Sequence, residues 1–76
     1  MHELDVVVLT HDLAEYGLRK GDVGAIVHCY ADGLAYEVEF VTAAGATVAV
    51  ATLHASDVRP VGGSEILHVR SLAGVA

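Results

Sequence analysis

Between Leu34 and Val41 the sequence alternates: Tyr36, Val38 and Phe40 fall on one side, Glu37 and Glu39 on the other. Only extended backbone keeps a period of two, because its successive side chains point to opposite faces, so this run is a half-buried strand. Such a strand needs neighbours on its edges and an apolar layer beneath it. They must come from a chain of 76 residues, which has room for one domain and none for a second, catalytic lobe.

The neighbours are recognisable. Leu4 to Leu9 is β-branched in its middle (Val6, Val7, Val8) and reads as a first strand, and Val23 to Tyr30 as a second. Ala31-Asp32-Gly33 makes the tight hairpin into the alternating strand, because Asp-Gly tolerates the positive φ that such turns require. Thr42-Ala43-Ala44-Gly45 is a second turn, and Ala46 to Leu53 a fourth strand. His54 to Asp57 is expected to form one helical turn. Val58 to Val61 then makes a short last strand, confined by Pro60 to a sheet edge or strand end. Thr10 to Asp22 is a long loop whose Leu13 and Leu18 fold back to cap the core. Five short strands in this order, with a one-turn helix before the last, predict an all-β fold: a small five-stranded SH3-like barrel, mostly antiparallel.

The barrel is expected over residues 1–61, with an apolar C-terminal tail over 62–76 packing on the barrel or on a partner. Ser64 is placed to cap a short helix ended by Gly74, while Glu65 to Arg70 would equally suit an added sixth strand. No internal repeat or low-complexity tract is present.

A chain this short needs a high apolar content to close a core, and 54% of its residues are hydrophobic. No apolar run reaches the roughly 20 residues that span a bilayer. Met1-His2-Glu3-Leu4-Asp5 is acidic where a signal peptide is basic, and Cys29 is the only cysteine, so a cytoplasmic location is expected. The net charge of −6 leaves Arg19, Lys20, Arg59 and Arg70 as the only fixed cations. Phosphate backbones are bound by Lys and Arg, so a basic or uncharged protein, or a second copy of the chain, is expected as partner rather than nucleic acid or membrane.

The fourth strand carries the strongest functional hint. Ala46-Thr47-Val48-Ala49-Val50-Ala51-Thr52-Leu53 is apolar on both faces, whereas the outer face of a lone small barrel meets water and should be polar. A cover is therefore expected: the tail (Ile66, Leu67, Val69, Leu72), a second copy, or a foreign protein. Scattered exposed alanines and valines would explain the pattern with no cover at all. The expected contact residues are Val48, Val50, Glu37, Glu39, Ile66, Leu67 and Val69, the acids steering a basic partner.

Chemistry finds less support. Glu37 and Glu39, two apart on one strand face, would lie about 6–7 Å apart, which overlaps inverting glycosidases, but solvated acids on an outer face explain them more simply. His28 and Cys29 point to opposite strand faces and cannot share an ion, and His2, His11, His54 and His68 have no metal-ligand spacing. Cys29 is read as a small buried hydrophobe, Tyr36 as core, and Tyr16 and Tyr30 as barrel-end packing with base stacking as the alternative. No catalytic, cofactor-binding or metal residue is assigned, and no enzyme is expected.

The loop Gly17-Leu18-Arg19-Lys20-Gly21-Asp22-Val23-Gly24 is joined by Asp5-Val6-Val7-Val8-Leu9 before it and by Tyr36-Glu37-Val38-Glu39-Phe40 and Thr52-Leu53-His54-Ala55-Ser56-Asp57-Val58 after it. Together these segments resemble a family of short uncharacterised bacterial domains with an SH3-like barrel, over about residues 3–61. The resemblance implies the fold, with Gly17, Gly21, Asp22 and Gly24 as the fold-defining loop, and implies no activity. More loosely, Gly21-Asp22-Val23-Gly24 is similar to KOW segments and to the barrel of nitrile hydratase β subunits. KOW loops are rich in Lys and Arg; here only Arg19 and Lys20 flank the motif. The expected function is a non-catalytic protein-interaction module. A KOW-like nucleic-acid module and an acidic inhibitor or antitoxin of a basic protein are the alternatives.

Overall fold

A computed structural model describes residues 1–72. It contains five strands, β1 (Val6–Leu9), β2 (Val23–Cys29), β3 (Ala35–Val41), β4 (Thr47–His54) and β5 (Val58–Pro60), with single 3-10 turns at Ala14–Tyr16 and Ala55–Asp57. All pairings are antiparallel, in the order β4-β3-β2-β1-β5. The all-β, five-stranded architecture is the one expected. The sheet is not closed by hydrogen bonds: β4 and β5 form its two edges, joined by the second 3-10 turn.

The alternation of β3 decides where the core lies. Tyr36, Val38 and Phe40 are buried and meet Ile26 from β2, Val7 and Leu9 from β1, Ala51 and Leu53 from β4, and Val58 from β5. Leu18 is buried in the same cluster and Leu13 packs at its margin, so the long first loop does cap one end of the core. Leu13 and Leu18 bridge across the loop, and the 3-10 turn between them fits within it. The first strand begins two residues later than expected, because Leu4 sits at φ +70, where a branched side chain cannot continue a ladder.

Gly21 and Gly24 serve different ends. Gly21, at φ +93, turns the chain into β2. Gly24 has ordinary backbone angles and instead gives clearance: a β-carbon there would lie 2.8 Å from Val38 Cγ1 and 2.9 Å from both the Glu39 carbonyl and Phe40 Cε1. Asp22 accepts from the Arg19 amide at 2.9 Å, as a turn aspartate should.

From Gly62 to Leu72 the chain is neither helix nor strand. It turns at Gly62–Glu65, where the Glu65 amide donates to the Gly62 carbonyl, and runs on as an irregular strap. Gly74, the expected helix end, lies outside the described residues.

Candidate functional site

The strand register lays the outer face out in cross-strand rows. One row runs Arg59, Val8, Val23 from β5 through β1 to β2. The next runs Val6, Ala25, Glu39, Val50 from β1 to β4, and a third His28, Glu37, Thr52 from β2 to β4.

The strap lies over the first row. Val8 points away from the core and does not belong to the core cluster, yet it is only 7% exposed. A space of about 210 Å³ is lined jointly by Val8, Val23, Glu65, Ile66, Leu67 and His68. Farther along, Val69, Arg70 and Leu72 line a wider cavity of about 390 Å³ whose floor is Leu18, Phe40 and Val48. Of the covers expected for the fourth strand, the tail meets Val48 near the strand's start and leaves Val50 49% exposed, while the buried outward residue is on β1.

Two arginine–carboxylate clamps hold the strap. Arg59 Nη1 and Nη2 donate to Glu65 Oε1 and Oε2, each at 2.7 Å, and the Gly62 amide donates to Oε1 at 2.6 Å. Arg70 donates from Nε and Nη2 to the two oxygens of Asp22 and from Nη2 to the Gly17 carbonyl at 3.2 Å. The guanidinium of Arg59, then the Gly62 amide, hold the Glu65 carboxyl down at about 2. Arg70 likewise lowers Asp22. Half of the chain's four fixed cations are occupied in this way.

The third row has its own hydrogen-bond set. Glu37 accepts from the Tyr30 hydroxyl at 2.8 Å and from the Thr52 hydroxyl, and these donors, Thr52 foremost, lower its carboxyl below the usual carboxylate range. Tyr30 meets His28 edge-on with ring centroids 4.9 Å apart. Glu39 accepts from the Thr47 hydroxyl at 3.0 Å.

Glu37, Glu39 and Val50 therefore share one surface. Ile66, Leu67 and Val69 stand beside it on the strap, 90%, 66% and 91% exposed. Val48 separates from Val50: the register shifts between Phe40 and Val41, opposite Ala49 and Thr47, and both Val48 and Ala49 pack against the core. The loop residues Gly17, Gly21, Asp22 and Gly24 shape the entry to β2, and Asp22 has the added task of holding Arg70. Sequence reasoning missed Val8, Arg59, Glu65 and Arg70. The apolar run Val6-Val7-Val8-Leu9 carried the same both-faces-apolar signal as the fourth strand, and it pointed to Val8.

Elsewhere, His11 Nε2 lies 2.6 Å from Asp57 Oδ1, which raises the His11 pKa and lowers that of Asp57. Cys29 packs half-buried at the core margin, and Tyr16 is 39% exposed. Among the described residues no three His, Cys, Asp or Glu side chains gather as a metal-binding set, and no helix is long and apolar enough to cross a membrane.

Fold and surface together define a small all-β domain whose outer face is covered around Val8 by its own C-terminal strap. The chain belongs to the DUF4926 family, described as a domain of unknown function, which matches residues 3–60. The match stops short of the strap. No curated protein and no solved structure matches the chain.

Proposed function

We propose that the domain is a non-catalytic protein-interaction module that docks a basic protein through the outer face around Val50, Glu37 and Glu39 and the adjoining strap residues Ile66, Leu67 and Val69. One observation carries this: large aliphatic side chains stand exposed on a strap that is itself clamped at two points, next to a sheet row with exposed Val6 and Val50 at its ends. Exposed apolar area on an ordered scaffold marks a contact surface.

Charge selects the partner. Among the described residues no cationic side chain is bonded to Glu37 or Glu39, and the whole chain carries −6. Two copies meeting face to face would set these carboxylates against each other, whereas Lys or Arg on a foreign protein would be attracted to them. An acidic inhibitor of a basic protein is one form of the same chemistry. The nucleic-acid reading has less support, since Arg59 and Arg70 are engaged by carboxylates and the Tyr30 hydroxyl by Glu37. A general-acid role for Glu37 also lacks support, since its donors favour the anion. The single cysteine suits a cytoplasmic setting.

The test compares three immobilised proteins exposed to extract of the source cell: wild type, Val50→Asp with Ile66→Asp, and the control Glu15→Ala. A protein retained by wild type and control, released by salt and lost by the double variant is expected. Identical retention on all three would refute the proposal. Sedimentation of the free domain should show a monomer.

A further inference from the structure

We propose that the open edge of β4 is a strand-addition site, and that its occupant is an extended segment of a partner protein alternating basic and aliphatic residues. This rests on the interaction-module reading and names the partner's chemistry at the same surface.

The direction of the backbone groups on β4 follows from two hydrogen bonds. The Ala55 amide donates to the Leu34 carbonyl at 2.9 Å, and the Tyr30 amide donates to the Ala35 carbonyl at 3.1 Å. In an antiparallel ladder the bonding side alternates residue by residue. With Tyr36 opposite Leu53 and Val38 opposite Ala51, residues Leu53 and Ala51 bond back to β3. The N–H and C=O of Thr52 and Val50 therefore point out of the sheet. The His54 amide, in the same phase, is capped by Asp57 Oδ2 at 2.9 Å. Among the described residues β4 pairs with β3 alone, and no loop carbonyl or side chain accepts from the Val50 or Thr52 amide.

The two edges of the sheet are unequal. β5 has three residues, one of them Pro60, which offers no donor. β4 has eight residues, the longest strand, with no proline, no lysine and no carboxylate. Long edges without such guards are the ones that accept another strand.

The surroundings specify the guest. On the outer face Glu39 and Glu37 are the register partners of Val50 and Thr52. An added strand would lie two strand spacings, about 10 Å, from them, within reach of Lys or Arg side chains. On the inner face its alternate side chains would run along the margin of the apolar core, past the partly buried Ala49 and the fully buried Ala51, a setting for aliphatic side chains. Backbone bonds would supply affinity and this alternation the selectivity.

The experiment titrates the domain with an acetylated, amidated hexapeptide of alternating Lys and Val, with a Glu–Val hexapeptide as control, and reads amide exchange by NMR. Expected is saturable binding of the Lys–Val peptide alone, with exchange at Val50 and Thr52 slowed at least about tenfold. Val50→Pro removes the outward donor without breaking the β3 ladder and should weaken binding at least about tenfold. Glu37→Gln with Glu39→Gln should weaken it and flatten its salt dependence. Absence of binding, equal binding of both peptides, or binding without protection of Val50 and Thr52 would each overturn strand addition. A captured protein lost by Val50→Asp but kept by folded Val50→Pro would overturn it while leaving the module reading standing. Should Val50→Pro fail to fold, amide protection in the wild type decides.

Discussion

Arg70 and Asp22, 48 positions apart in the chain, share a two-point ion pair, with Nε 2.8 Å from Oδ1 and Nη2 2.5 Å from Oδ2. Asp22 also orders the loop into β2 by accepting from the Arg19 amide. A single carboxylate thus ties the strap to the loop, and loop and strap should loosen together when it is removed.

That coupling is open to measurement. Arg70→Ala and Asp22→Asn should each lower Tm by about 4 °C, the scale of one partly exposed ion pair in a domain of this size. The double variant should lose little more than either single one. Fully additive losses would show that the pair does not act as a unit.

Val8 predicts the effect of removing the strap. Ending the chain after Val61 exposes an outward valine that is 7% exposed in the intact protein. The loss should be about 1.5 kcal/mol for that side chain alone, read as a lower urea midpoint. Val8→Thr should destabilise the full chain but barely affect the shortened one. An unchanged midpoint on truncation would mean that the strap does not bury β1.

The contrast between strands and strap explains what was legible in the sequence. Strands are local: the alternation around Val38 and the turn residues at Asp32-Gly33 and Gly45 are visible within a few positions. The strap depends on Arg59 meeting Glu65 and Arg70 meeting Asp22, pairings that leave no periodic trace. The bulge that turns Val48 inward is also silent, since one extra residue in a ladder changes no composition. The greasy outer face was readable, but its covered portion was sought on the fourth strand, when Val6-Val7-Val8-Leu9 carried the same signal.

Gly24 is a sharper test of packing than any core truncation. A methyl group there meets the Glu39 carbonyl, which the β2–β3 ladder holds in place, as well as Val38 and Phe40. Gly24→Ala should cost about 1–3 kcal/mol as overpacking. Gly63→Ala, where nothing lies within 4 Å of the added carbon and φ is not positive, should be close to neutral. Equal midpoints for the two variants would contradict the close approach of β2 to β3.

The two ends of the molecule should respond to pH with opposite signs. Glu65 is held at about 2 against an ordinary 4.5, chiefly by Arg59, so its clamp is intact above 4.5 and is lost as pH falls through about 2. His11 is raised above 6.5, chiefly by the Asp57 hydrogen bond, so its contribution is complete below 6.5 and fades as pH rises through the folded value. Asp57, lowered by His11, adds a share that is present above 3.8 and lost in acid. Raising the pH from about 6 to 8 should therefore speed exchange at the Thr10 amide, which donates to the Asp57 carbonyl, while leaving the Gly62 amide bound to Glu65 in its folded environment. Lowering the pH through about 2 should release Gly62, with intrinsic exchange rates divided out in both cases. His11→Asn should flatten the alkaline response and leave the acid one. A Thr10 amide that became more protected on going from pH 6 to 8 would reverse the assigned sign and remove the His11–Asp57 pair as the clamp on the first loop.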